Sequence, residues 1–355
     1  MEQNTEQMIL CDLCPRGCRI AEGKSGTCFV RENHGGELIL TVYGRSTGFC
    51  IDPIEKKPLY HFLPGTGTLS FGTVGCNLGC LHCQNHDISR CRSLGDAHET
   101  ASPERIAETA VRLGCESVSF TYNEPIVWSE FAVDTAAACH ERGIKTVAVT
   151  NGYIMPEPGK WFFAAMDAVN IDLKAFSEEF YKKITGATLK PVLETLKYVV
   201  KETDVWLEIT NLIIPGENDR PEDIRRMCDW IVHELGPDVP LHFSAFHPTH
   251  RLSDHPPTSP TALFSAREIA KNSGIRYIYL GNLPVAEGQG TDCPGCQRLL
   301  MERTGYGTVP LEIDLPPCEN GMARCRHCGE SIPGVFPPQW GSWGNRRQRV
   351  TFHST

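Results

Sequence analysis

Three cysteines in the run Gly75-Cys76-Asn77-Leu78-Gly79-Cys80-Leu81-His82-Cys83-Gln84-Asn85 stand at the spacing C-x3-C-x2-C, with no fourth beside them. A four-iron cluster held entirely by protein takes four cysteines. Three would leave one iron with an open position, which turns a metal centre from structural to reactive. Three of four zinc ligands with a distant fourth would look the same in this run, so the spacing alone leaves both open. Two further sets lie among the seventeen cysteines. Cys11, Cys14, Cys18 and Cys28 are spaced C-x2-C-x3-C-x9-C, with Gly23 and Gly26 allowing a tight return. Four thiolates so close together can surround zinc or an auxiliary iron–sulfur cluster. Cys293-Pro294-Gly295-Cys296 and Cys325-Arg326-His327-Cys328 are two C-x2-C knuckles, which read as a structural zinc ribbon standing apart from the main fold. Cys318 is surplus to it or replaces one ligand. A module with so little apolar content depends on metal to fold. Cys115, Cys139 and Cys228 read as small buried hydrophobes, and Cys50 and Cys91 have no assignment.

The elements that must position these groups are legible between the second and third sets. Apolar, β-branched runs at Leu69–Val74, Ser117–Thr121, Thr146–Thr150, Ala168–Leu173, Val205–Ile214, Leu241–Phe246 and Tyr277–Leu280 read as strands with apolar interiors. Amphipathic stretches at Pro103–Leu113, Val127–Arg142, Pro191–Glu202, Pro221–Leu235 and Thr261–Asn272 read as helices between them, some opened by proline. Six or seven alternating units over about 215 residues imply a parallel α/β fold that is a partial or closed barrel. A doubly wound sheet is the rival, but no G-x-G-x-x-G follows any strand. Polar groups recur at the predicted strand ends: the cysteine loop, Thr121-Tyr122-Asn123-Glu124-Pro125, Asn151-Gly152-Tyr153, Asp172-Leu173-Lys174, then Glu208, Thr210, Asn211 and His247-Pro248. In a βα barrel that rim carries the chemistry.

The N-terminus is polar and acidic, and no apolar run approaches the roughly 20 residues of a membrane span, so a cytoplasmic location is expected. There, clustered cysteines bind metal more often than they form disulfides. A formal charge of −9 argues against nucleic acid as a partner of the whole chain.

The cluster run resembles that of the radical S-adenosylmethionine (radical SAM) superfamily, and the match extends residue by residue to its glycyl-radical-enzyme activating enzymes. Their motif ends Cys-aromatic-Cys-x-Asn. Cys80-Leu81-His82-Cys83-Gln84-Asn85 fits, with His82 in place of the aromatic that stacks near adenine. Their Gly-Gly-Glu-Pro segment appears as Asn123-Glu124-Pro125, keeping the acceptor carboxylate and losing both glycines. Their Asp-Leu-Lys triplet matches Asp172-Leu173-Lys174, which implies Asp172 on ribose hydroxyls and Lys174 on a carboxylate; His247 stands where they carry a histidine near the ribose. The flanks, Cys11–Cys28, Ile51-Asp52-Pro53-Ile54-Glu55-Lys56-Lys57-Pro58-Leu59-Tyr60-His61-Phe62-Leu63-Pro64-Gly65, Val149–Ile154 and Leu241–Ser244, resemble the AmmeMemoRadiSam-system enzymes. Those enzymes are named for co-occurrence with AMMECR-domain and Memo-family proteins, and the resemblance implies these as partners.

The resemblance implies a partial (βα) barrel of the radical SAM type with small cysteine-rich modules at both ends. The expected divisions are 1–64, 65–285, 286–336 and a basic, disordered tail over 337–355. It implies a four-iron four-sulfur cluster on Cys76, Cys80 and Cys83, and S-adenosylmethionine held by His82, Asn123, Glu124, Asp172, Lys174 and His247. It further implies a low-potential electron donor such as ferredoxin or flavodoxin, and a deoxyadenosyl radical that abstracts hydrogen from a substrate. An activase that installs a glycyl radical on a partner protein is the alternative. A non-catalytic scaffold, with all three cysteine sets structural, is the alternative from another class.

Overall fold

The computed structural model describes residues 8–92, 98–283, 287–316 and 322–352; Cys318 lies outside them. Seven strands run parallel in chain order: β1 (Gly67–Phe71), β2 (Ser117–Phe120), β3 (Lys145–Thr150), β4 (Ala168–Asp172), β5 (Trp206–Ile213), β6 (Leu241–Ala245) and β7 (Ile278–Gly281). Helices α1 (Pro103–Arg112), α2 (Ser129–His140), α3 (Pro156–Phe163), α4 (Lys190–Glu202), α5 (Pro221–Glu234) and α6 (Pro260–Asn272) make the crossovers. Each strand therefore lands beside its predecessor, as short right-handed connections favour. Phe49–Pro53 pairs antiparallel with β1, and Gln348–Val350 pairs antiparallel with Phe49–Pro53, giving nine strands. Among the described residues β1 and β7 do not pair, so this is the expected partial barrel.

Local chemistry accounts for the element starts. Ser102 and Ser259 accept from the amides of Arg105 at 3.3 Å and Ala262 at 3.2 Å, with Pro103 and Pro260 filling the first helical position. The stretch Val127–Arg142 is not one helix. Pro125–Trp128 forms a 3-10 turn capped by Glu124 on the Ile126 amide at 3.1 Å, and α2 starts after it. Helix α3 was not expected, because Pro156 and Pro158 in its first turns mask the signal.

The strand interiors are not uniformly apolar, contrary to expectation. Paired registers place Thr68 and Ser70, Ser117 and Ser119, Asn170 and Asp172, Glu208 and Thr210, and His242 and Ser244 on one face. Leu69, Phe71, Val118, Phe120, Val169, Ile171, Ile209, Leu241 and Phe243 point to the other, packed under the helices. The polar face is covered by a strap over residues 51–65. Its apolar side chains Ile54, Leu59, Phe62 and Leu63 pack on Val147 and Ala168. Its backbone is tied by Glu208, which accepts from the Tyr60 and His61 amides at 2.7–3.0 Å, and by Asn170, which donates to Pro58 O at 2.8 Å.

Two small three-stranded sheets form the C-terminal module. It does not stand apart from the main fold: its core includes Tyr60, Tyr277 and Tyr279, and buried Arg303 donates to Tyr60 O at 2.8 Å. The expected disordered tail is also corrected. Residues to Phe352 are described, Val350 is buried, and Trp343 N donates to Gly65 O at 2.8 Å. A Cβ on Gly67 would lie 2.8 Å from the Trp343 ring, so glycines in the strap and β1 make room for the tail.

His61 fastens the strap to the module, with Nδ1 donating to Pro333 O at 2.7 Å and Nε2 facing the Tyr279 hydroxyl. Burial pushes its pKa down to about 4, against the opposing pull of Glu208. An unfolded histidine titrates near 6.5, so between those values the unfolded chain takes up a proton that the folded ring refuses. Stability contributed here is complete above about pH 6.5 and is lost as pH falls toward 4, by about 3 kcal/mol. Chemical unfolding across that window should show wild type losing this increment relative to His61→Gln; parallel pH curves would refute the assignment.

Candidate active site

The cysteine loop follows β1 and is clamped from three sides. Asn123 accepts from Thr73 N at 3.0 Å and donates to Gly75 O at 2.9 Å and Thr73 Oγ1 at 3.2 Å. Asn77 donates to Tyr153 O at 2.8 Å and accepts from Asn151 at 2.9 Å. The amides of Gly79 and Leu81 donate to Thr185 O and Ile184 O, both at 2.9 Å, from a π-helical turn over Tyr181–Thr185. Cys76, Cys80 and Cys83 thereby line one cavity of about 600 Å³ at the C-terminal ends of the strands. Burial, with Glu124 adding, pushes the Cys76 thiol well up; burial pushes Cys80 to about 11 although Lys174 opposes. Thiols in that condition ionise when a cation compensates, as metal ligands do.

Most of the expected residues share this cavity. His82 is buried there, and its Nδ1 has no hydrogen-bond partner among the described residues. Burial and Lys174 push its pKa down to about 3, which keeps the ring neutral. Lys174 and Asp172 pair at 2.8 Å; burial opposes the lysine's charge, but the carboxylate holds it protonated. Glu124 accepts from Thr150 Oγ1 at 2.5 Å, Asn151 N at 2.8 Å and Ile126 N at 3.1 Å. Burial nevertheless raises its pKa to about 7. Those three bonds leave it about one free acceptor site, since a carboxylate offers roughly four. Asn123 lines the cavity, and its amide also positions the cysteine loop.

His247 is corrected. It is exposed and lies outside the cavity lining. Strand β6 ends at Ala245, Thr258 caps the Phe246 amide at 2.8 Å, and buried Phe246 turns the next residue outward. His242, which the sequence reading missed, lines the cavity instead, with Nε2 2.6 Å from Glu208. Its signal was the alternation of His242 and Ser244 with Leu241 and Phe243. Also missed was a charged group at the cavity, where Lys57, Lys56, Tyr122 and Arg347 line it and meet buried Asp52 at 2.7 Å, 2.9 Å, 2.6 Å (through the Tyr122 hydroxyl) and 3.5 Å. Burial works against the Asp52 charge, yet Lys57 and its neighbours hold the carboxyl well below its usual range. Tyr122 takes φ +72°, a strained value for a side-chain-bearing residue, and its carbonyl accepts from Asn85 at 2.6 Å.

A neutral imidazole with an unused nitrogen, a free carboxylate position and a lysine–aspartate pair beside three thiols fit a zwitterionic nucleoside ligand next to a metal cluster. The donor set therefore agrees with the group that the resemblance implies.

At the C-terminal end, Cys293 and Cys328 place their sulfurs 3.5 Å apart, and Cys296 and Cys325 3.7 Å. All four lie within 4.8 Å of one another, and this quartet could hold one metal ion. At the other end Cys11, Cys14 and Cys28 are buried and Cys18 is half-buried.

Residues 71–231 match the family model of the radical SAM superfamily. Over 335 residues the chain is 44% identical to an uncharacterised protein of Methanocaldococcus jannaschii, covering 94% of this chain and 98% of that one. It is 25% identical to a probable GTP 3',8-cyclase of Methanosarcina mazei, covering 78% and 84%. It is 27% identical to the pyruvate formate-lyase 1-activating enzyme of Escherichia coli K12, covering 47% and 69%.

Replacing Cys296 and Cys325 by serine should remove one metal equivalent per chain, read by elemental analysis, and open the C-terminal module to protease. Full metal content in that variant would show that the quartet is not a ligand set.

Proposed function

We propose that this chain, which belongs to the radical SAM superfamily, is an enzyme that holds a four-iron four-sulfur cluster on Cys76, Cys80 and Cys83 and reductively cleaves S-adenosylmethionine there. When bound, the cluster and S-adenosylmethionine supply one-electron cleavage of the sulfonium, giving a 5′-deoxyadenosyl radical that takes hydrogen from a substrate. One observation carries the reading: three thiols, neutral His82 and the Asp172–Lys174 pair line a single cavity.

Within it, Lys174 would meet the cofactor's carboxylate, Asp172 its ribose hydroxyls, and the free position on Glu124 its amino group. His82 presents an uncharged ring face to the adenine. Thr150 and Asn151 hold the Glu124 carboxylate toward the loop. Three cavity-lining cations, Lys56, Lys57 and Arg347, surround Asp52, and that surplus suits an anionic group on the substrate. The electron comes from a low-potential donor such as ferredoxin or flavodoxin.

The strap resemblance supports the AmmeMemoRadiSam system, with AMMECR-domain and Memo-family proteins as partners. Zinc is the metal we assign to Cys293, Cys296, Cys325 and Cys328, since zinc–sulfur bonds of about 2.3 Å in a tetrahedron put sulfurs about 3.8 Å apart. A second reading, an activase acting on a partner protein, is favoured by the likeness of 47% of this chain to the Escherichia coli activating enzyme. A persistent radical signal on an added protein, in place of a converted small molecule, would select it.

Anaerobic reconstitution should give a cluster whose electron paramagnetic resonance (EPR) spectrum changes when S-adenosylmethionine is added. Removing one charge-assisted contact typically costs about 1.5–3 kcal/mol. Lys174→Ala should therefore weaken S-adenosylmethionine binding at least about tenfold with iron and sulfide content unchanged. A Lys174→Ala protein that loses iron yet binds S-adenosylmethionine normally would sink the placement.

A further inference from the structure

The three cysteine sets space their sulfurs in two different ways. Among the described residues, the C-terminal quartet is the one group of metal-ligating side chains whose ligand atoms all fall within 4.8 Å of one another. A single ion produces that spacing, because metal–sulfur bonds of about 2.3 Å bring thiolates to about 3.8 Å. Cys76, Cys80 and Cys83 are set wider, yet all three line one cavity. A cuboidal cluster requires this arrangement, since each thiolate binds a different iron. The N-terminal quartet follows the wider pattern. Cys11 and Cys18 are cross-strand partners in the hairpin of Ile9–Cys11 and Cys18–Ile20, with Cys14 in its turn. A Cβ on Gly26, two residues before Cys28, would lie 3.6 Å from Cys18 Sγ, so the segments that carry the four thiols meet without closing their sulfurs to single-ion spacing.

The quartet also abuts the cysteine loop of the active site. Gly75, immediately before Cys76, has φ +90°, and a Cβ there would lie 2.4 Å from Cys28 O. Arg16, between Cys14 and Cys18, donates to Asn77 O at 2.7 Å and Gly186 O at 2.5 Å. Met155 N donates to Leu13 O at 3.0 Å. Buried Arg31 acts on both Cys11 and Cys28 and is itself held by Glu130 at 2.8 Å and by Val127 O at 3.1 Å. It brings a fixed positive charge to a site that four thiolates would make negative.

We propose that Cys11, Cys14, Cys18 and Cys28 hold a second four-iron four-sulfur cluster, fully ligated by protein, seated against the loop that carries the first. With every iron ligated it has no open position for a substrate, and its chemistry is one-electron exchange. The neighbour relation rests on the proposed function of Cys76, Cys80 and Cys83; the identity of the second cluster does not.

The test uses the full chain, reconstituted anaerobically with iron and sulfide. The Cys76→Ala/Cys80→Ala/Cys83→Ala protein should keep about four iron and four sulfide, with a reduced EPR signal that S-adenosylmethionine does not alter. Cys14→Ser/Cys28→Ser should lose about four iron and keep the S-adenosylmethionine-responsive signal. In fully reduced wild type the two signals should be broadened by spin coupling, and the broadening should vanish in either variant. Zinc without iron in the triple-alanine protein would overturn the proposal, and absence of spin coupling would overturn the adjacency. If Cys14→Ser/Cys28→Ser does not fold, iron and zinc counts of the triple variant still decide. Failure of the proposed function would show separately, as a wild-type spectrum indifferent to S-adenosylmethionine.

Discussion

Glu208 is fully buried on β5 and accepts from Tyr60 N, His61 N, Trp206 Nε1 and His242 Nε2. A carboxylate taken from water without partners would be strongly unfavourable, and with one partner removed the residual charge costs about 3–5 kcal/mol. Here the donors reverse the balance: burial alone would raise its pKa, but His242 first among its neighbours holds it low. Two of the donors are backbone amides of the strap, so the charge can stay buried only if residues 51–65 cross the sheet at this height. That constraint brings Lys56 and Lys57 to the cavity wall and presents Tyr60 O to Arg303 of the C-terminal module. The strap, the module and that wall of the cavity thus depend on one ionised side chain.

The cysteine loop answers to a different device. It carries three groups that must converge on one centre, and a loop loses much entropy when ordered. Asn123 spends its whole amide on Thr73 and Gly75, and Asn77 and Asn151 pin the next turn. Backbone carbonyls of the Tyr181–Thr185 turn take the amides of Gly79 and Leu81. Asn123, a side chain that the motif comparison assigns to the ligand, therefore also serves to pre-form the site.

The parallel strands were legible because buried β-branched runs bounded by polar ends leave a strong local signal, and the seven expected segments all overlap observed strands. The three thiols and the Asp172–Lys174 pair were legible because their spacing is itself the chemistry. What the sequence hid depends on contacts between distant residues. Tyr60 and Glu208 are 148 positions apart, and Arg347 reaches Cys50 across 297. Histidines in one short segment could not be told apart by identity: His242 shares a face with Thr210, while His247 falls just past the strand end. The tail's tryptophans looked solvated until glycines 65 and 67 proved to be the surface that Trp340 and Trp343 lie on.

The family match and the cavity divide along the same line. Residues 71–231 include all three thiols of the loop, His82, Glu124, Asp172 and Lys174. Lys56, Lys57, His242, Ser244, Asn282, Tyr306 and Arg347, which line another part of the cavity, and Asp52, which pairs with Lys57, lie outside that span. The likeness to the activating enzyme covers about half of this chain, whereas likeness to the Methanocaldococcus protein covers 94% of it. On the proposed reading, the shared half of the cavity makes the radical and the half built by strap, module and tail decides what it meets. A βα scaffold permits this separation because rim groups can change while the sheet beneath them does not. On that reading specificity rests with the elements that Glu208 and Arg303 anchor, the strap and the C-terminal module, which lie outside residues 71–231.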